Sequence, residues 1–179
     1  MNSLVSPLNK LEKTELEPHL IAFQCAKSGG YYLPAASYWR WLAKNPARLP
    51  QLPDSGEETP EEEEIANPRL CPESGAPMLR FKVGHGFSFT IDRSPTGGVW
   101  FDKGEWEALR ARNFHDEIHL IFTLPWQNKV RRLASKERLN QALTTRIGEP
   151  SFEKATEFKT WLHSQEERSA ILAFLSNDS

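Results

Sequence analysis

A chain of 179 residues suffices for one domain or two small ones, and 22 basic against 24 acidic residues (net charge −2) exclude a polycation that wraps nucleic acid. Hydrophobic residues at 39% with six tryptophans supply a core, so most of the chain is expected to fold. Two cysteines, Cys25 and Cys71, make no disulfide framework, the first residues resemble no signal peptide, and no stretch approaches the roughly 20 apolar residues that span a bilayer; the expectation is a reduced, cytoplasmic protein without membrane partners.

In chain order, residues 1–48 form an N-terminal half in which Tyr31 to Leu33 read as a short strand. Tyr38, Trp39, Trp41 and Leu42 recur at helical spacing, with Ser37 as N-cap and Asn45-Pro46 as the stop. Residues 49–70 read as an acidic, proline-rich linker: Pro50, Pro53, Pro60 and Pro68 remove donors, seven carboxylates repel one another, and little apolar surface offsets the entropy of ordering. Within residues 71–112 the clearest element is a β-hairpin at about 78–92. There Leu79, Phe81 and Val83, then Phe87, Phe89 and Ile91, alternate with polar residues across Gly84-His85-Gly86. Val99 to Phe101 makes another short strand. A helix is expected over Glu105 to Arg112, and residues 113–179 form a helical extension, expected to make one compact unit with residues 71–112: Phe114 to Thr123, Pro125 to Ala142, Ser151 to His163 and Glu166 to Leu175. The fold class is α+β, a small antiparallel sheet packed with a C-terminal helical array.

Two stretches echo each other 68 residues apart. Cys25 to Ser28, Gly29-Gly30, Tyr31-Tyr32-Leu33 and Tyr38 correspond to Arg93 to Thr96, Gly97-Gly98, Val99-Trp100-Phe101 and Trp106. Each is a polar turn, a glycine pair, an aromatic strand and a helix. The pair suits a tight turn that needs positive φ and a close approach of backbone. The echo predicts that the strand 31–33 lies beside the strand 99–101.

Cys71-Pro72-Glu73-Ser74, the hairpin, and the run from Asp92 through Gly97-Gly98-Val99-Trp100-Phe101-Asp102-Lys103-Gly104-Glu105 resemble the bacterial transcription-factor-IIB-type zinc ribbon family. The resemblance implies a ribbon in which two Cys-Pro-x-Cys turns, the knuckles, hold one zinc ion. The knuckle positions here are Cys25, Ser28, Gly29 and Gly30 in the first half, and Cys71, Ser74, Ser94, Thr96, Gly97 and Gly98 in the second. Hydroxyls replace most of the thiols, and a neutral hydroxyl is a poor zinc ligand. The expectation is a degenerate ribbon that folds without a metal cofactor. The alternative is a rebuilt site joining Cys25, Cys71 and His85.

His115 and His119, four apart, would share one face of a helix, which reads as solvated surface rather than a metalloprotease site because the order of the carboxylates differs. There is no nucleophile elbow and no phosphate loop, so an enzyme is not expected. Lys129, Arg131, Arg132, Lys136 and Arg138 gather within ten residues and are the candidate nucleic-acid contacts. The favoured function is a non-catalytic binding or adaptor protein acting through protein–protein contacts; the alternative is a nucleic-acid-binding ribbon protein using residues 129–138.

Overall fold

The computed structural model describes residues 11–45 and 68–177. The chain divides into two compact units, Met1–Val130 and Arg131–Ser179. The division falls inside a helix, within the helical extension expected over residues 113–179. The expected linker lies outside the described residues except for its last three. Of these, Arg69 is buried and Leu70 forms a bridge to Pro77, so they belong to the folded unit.

In the first unit six strands form one antiparallel sheet: β1 (Glu12–Glu17), β2 (Leu20–Gln24), β3 (Tyr31–Leu33), β4 (Leu79–Gly84), β5 (Phe87–Arg93) and β6 (Val99–Phe101). Their order is β1-β2-β3-β6-β5-β4. The expected pairing is present, with Tyr31 opposite Phe101, Tyr32 opposite Trp100 and Leu33 opposite Val99. Each half runs hairpin, turn, short strand, helix, with α1 (Ala35–Leu42) following β3 and α2 (Glu105–Ala111) following β6. Because the echoed residues Tyr32 and Trp100 face each other across the central pair, the two halves are related by a pseudo-twofold axis between them.

The two-residue period of β3 and β6 sorts side chains onto two faces. Leu33, Val99 and Phe101 join Tyr38, Trp41, Phe89, Trp106, Leu109, Phe114, Ile118 and Ile121 in the main core. Tyr32 and Trp100 point the other way, into a smaller cluster with Leu11, Cys71 and Met78. Each large apolar side chain so buried contributes roughly 1.5–3 kcal/mol, less the entropy of fixing it. The helix α3 (Ile118–Ile121) and the start of α4 (Leu124–Ile147) complete this unit. Trp126 Nε1 donates to the Val83 carbonyl at 2.8 Å and Gln127 Nε2 to that of Lys82 at 2.9 Å, tying α4 to the end of β4.

Several expectations need correction. The hairpin β1–β2 was not anticipated. Helix α1 starts at Ala35, capped by Pro34 instead of Ser37. Between Phe114 and Thr123 only α3 is α-helical, because the chain turns at Asn113 (φ 57°) and carries His115 and Asp116 inward. His115 is therefore no part of a solvated helix face: it is 1% exposed, its ring 5.8 Å from that of Trp106 and 5.7 Å from that of Trp41.

The second unit holds the rest of α4, then α5 (Glu149–His163) and α6 (Arg168–Ser176). Gly148 (φ 81°) separates α4 from α5, whose first turn carries Pro150. No helix among the described residues is long and apolar enough to cross a membrane.

Candidate functional site

The knuckle positions of the second half converge on Cys71. The turn Cys71 to Ala76 closes by Cys71 N–H to the Ala76 carbonyl and Gly75 N–H to that of Cys71, both 2.8 Å. The turn Cys25 to Gly30 closes the same way, by Cys25 N–H to Gly30 (2.9 Å) and Gly29 N–H to Cys25 (2.8 Å). The turn at Ser94 is one residue tighter, closing onto Gly98 at 2.8 Å. It brings Ser94 Oγ to 2.9 Å from Cys71 Sγ and 2.8 Å from Thr96 Oγ1. Thr96 Oγ1 donates to Glu73 Oε2 at 2.8 Å, and the phenol of Tyr32, reaching across from the first half, donates to the same oxygen at 2.8 Å. Burial alone would push the Cys71 thiol up; hydrogen bonds, led by those from Ser74 and Ser94, outweigh it and bring the thiol down to about 6. At Cys25 burial likewise acts upward, and bonds from Ser28 and Lys27 turn the net shift downward.

The donor set does not fit a structural zinc ion. Cys71, Ser74, Ser94 and Thr96 offer one thiol and three hydroxyls where such a site takes four thiolates or imidazoles. The hydroxyls of Ser94 and Thr96 are also engaged with each other, with Cys71 and with Glu73. The alternative set is not assembled. Cys25 packs against the small cluster that contains Cys71, but His85 sits in the β4–β5 turn, stacked on Trp126 with centroids 4.3 Å apart. Among the described residues no group of three or more His, Cys, Asp or Glu is arranged to hold a metal.

The basic segment lies exposed on α4, and helix geometry divides it. At roughly 100° per residue, Lys129, Arg132 and Lys136 fall within about 60° of one another, whereas Arg131 and Arg138 lie about 100–180° from them, so the five spread over about half of the helix circumference. The five cations do not form one stripe.

Sequence reasoning missed the ion network beneath the second knuckle. Arg69, 9% exposed, places Nε 3.0 Å from Asp92 and Nη2 2.7 and 2.9 Å from the two oxygens of Asp102, with its guanidinium 4.6 Å from the Trp100 ring centroid. Arg80 holds the other oxygen of Asp92 at 3.1 Å, and Trp100 Nε1 donates to Asp102 at 2.9 Å. Buried Glu105 reaches back to the Asp102 N–H at 2.7 Å, as a capping-box carboxylate does. The signal available was an arginine at the end of an otherwise acidic segment, within reach of Asp92 and Asp102.

Burial first, then the neighbouring carboxylates of Asp102 and Asp92, raise Glu105 to about 8, so near neutrality a protonated Glu105 leaves two carboxylates facing two guanidiniums. A carboxyl raised on folding contributes stability that is complete below about pH 4.5 and lost as pH rises through about 8. Glu105→Gln keeps an acceptor for the Asp102 N–H and removes this titration. Urea titrations between pH 5 and 9 are expected to show the wild type losing about 4 kcal/mol more than the variant across that range. Parallel profiles would mean that Glu105 is ionised throughout.

Compared with protein-family models, curated proteins and solved structures, the chain matches none.

Proposed function

We propose that the chain is a non-catalytic binding or adaptor protein, built on a doubled, degenerate zinc ribbon in which hydrogen bonds stand in for the ion, and that it works in the cytoplasm through protein–protein contacts. The observation that carries this reading lies in residues 131–179. Leu162 is the sole buried side chain among the described residues of that unit. Leu139, Leu143 and Ile147 recur every four residues on α4 and are 40–60% exposed; Trp161 on α5 is 48% and Phe174 on α6 78% exposed. Helices of this length are marginal in water without an apolar face to bury, and exposed Leu, Phe and Trp side chains of this kind have the composition of a protein interface. The nucleic-acid reading has less support, since the cations of α4 spread over about half of the helix circumference instead of lining one stripe. Catalysis has less again, since Cys71 is 2% exposed and its recorded partners are hydroxyls.

Affinity purification from the host's own cells tests the reading, comparing the wild type with Trp161→Asp/Phe174→Asp. A stoichiometric protein that accompanies the wild type and is lost with the variant is the expected result. Recovery of the chain alone, or of nucleic acid released steeply by salt, overturns it. The metal part has its own measurement: thermal unfolding is expected to be unchanged by a strong chelator, and about one zinc per chain by elemental analysis would refute it.

A further inference from the structure

The turn carrying Thr96 has a second side. Away from Cys71 it borders a cleft of about 380 Å³ between α1, residues 93–99 and α3, a size in the range of small-molecule sites. Tyr38, Trp39, His119 and Phe122 bring aromatic rings to its walls: Trp39 is 53% exposed, and its ring lies 5.1 Å from the imidazole of His119. The hydroxyl of Tyr38 fixes that imidazole. It has one proton, which it donates to the Asp116 carbonyl at 2.8 Å, so the hydrogen in its 3.0 Å contact with His119 comes from Nδ1. Burial, only partly opposed by the charge of Asp116, holds His119 below its usual value, so near neutral pH the ring is a neutral aromatic face rather than a second cation.

Arg93 is the cation of the cleft. Its guanidinium lies over the Phe122 ring at 5.0 Å, and it joins none of the ion pairs among the described residues. Stacking occupies the guanidinium's face and leaves its edge, where the N–H fork matches the two oxygens of a carboxylate. Glu73, which Thr96 of this turn contacts, is engaged by Thr96 and Tyr32, and Asp92, next to Arg93 in the chain, is paired with Arg69 and Arg80. One planar cation beside an exposed indole face suits a planar aromatic monoanion better than a phosphoryl dianion.

We propose that this cleft binds a small aromatic carboxylate, its ring on Trp39 and its carboxylate on Arg93. Calorimetric titration with 2-naphthoate, with the neutral 2-naphthamide and with inorganic phosphate tests it. Naphthoate is expected to bind about tenfold more tightly than the amide, the margin of a charge-assisted hydrogen bond. Arg93→Gln should erase that difference while leaving amide binding unchanged, and Trp39→Ala should weaken both. Both residues are exposed, and circular dichroism checks that the variants stay folded. Equal affinity for acid and amide, an unaltered preference in Arg93→Gln, displacement of naphthoate by equimolar phosphate, or no binding at millimolar ligand each overturns the assignment. Neither residue belongs to residues 131–179, so failure here leaves the adaptor reading standing, and loss of the partner through Trp161 and Phe174 leaves this one standing.

Discussion

Arg69→Ala is expected to lower the unfolding free energy by about 3–5 kcal/mol, the range for removing one partner from a buried charge network. The guanidinium is 9% exposed and serves Asp92, both oxygens of Asp102 and the face of Trp100 together. Without it Asp92, itself 5% exposed, keeps only Arg80, and Asp102 keeps the indole N–H of Trp100. Breaking a buried pair differs from replacing it, because the dominant cost is the charge left behind. Arg69→Met/Asp102→Asn, which removes both charges and keeps bulk over Trp100, should therefore recover most of the loss. Equilibrium urea unfolding of the three proteins decides the matter. A loss below about 1 kcal/mol in Arg69→Ala would place this network in the class of solvated surface pairs.

The central sheet was legible because two signals agreed. Alternation located β5, where Phe87, Phe89 and Ile91 are all buried, and the echoed glycine pairs located β3 and β6 and predicted their pairing. The β1–β2 hairpin escaped because β1 is an edge strand: Glu12, Lys13 and Glu15 can face solvent there, and such a strand needs no apolar alternation. Its place was nevertheless encoded, since shifting the hairpin 79–93 back by the echo's offset lands on residues 11–25, which contain the hairpin 12–24. Along the helices, the cations of α4 looked like one patch by composition, although their angular separation follows from helix geometry alone. The convergence of Arg69, Glu73 and Tyr32 on the second knuckle joins residues far apart in the chain, and no local period reports such contacts. His115 was misplaced for a related reason: polarity was read as exposure, while aromatic neighbours from two other segments enclose it.

Gly98→Ala is expected to cost about 3 kcal/mol or more, the upper range for forcing a group into a packed core. The two glycines of each pair divide the work that the sequence assigned to them jointly. Gly29 (φ 75°) and Gly97 (φ 87°) take the left-handed conformation, while Gly30 and Gly98 allow the close approach. A Cβ at Gly98 would fall 2.1 Å from the hydroxyl oxygen and 2.5 Å from Cζ of Tyr32; one at Gly30 would fall 3.0 Å from Cζ2 of Trp100 and 2.8 Å from the Phe101 carbonyl. Across the pseudo-twofold axis, each half's aromatic thus lies over the other half's glycine. Tyr32 is fully buried and cannot swing away without abandoning Glu73 and the Cys71 cluster. Gly75→Ala supplies the contrast: φ is 70° and nothing lies within 4 Å, so only backbone strain of about 1–2 kcal/mol is expected. Shortening the ring should relieve the clash, so Tyr32→Leu/Gly98→Ala is expected to be less destabilised than the sum of its single variants, a coupling that a double-mutant cycle measures. Strict additivity, or a Gly98→Ala no worse than Gly75→Ala, would show that the ring yields freely and that the glycine pairs serve the turns alone.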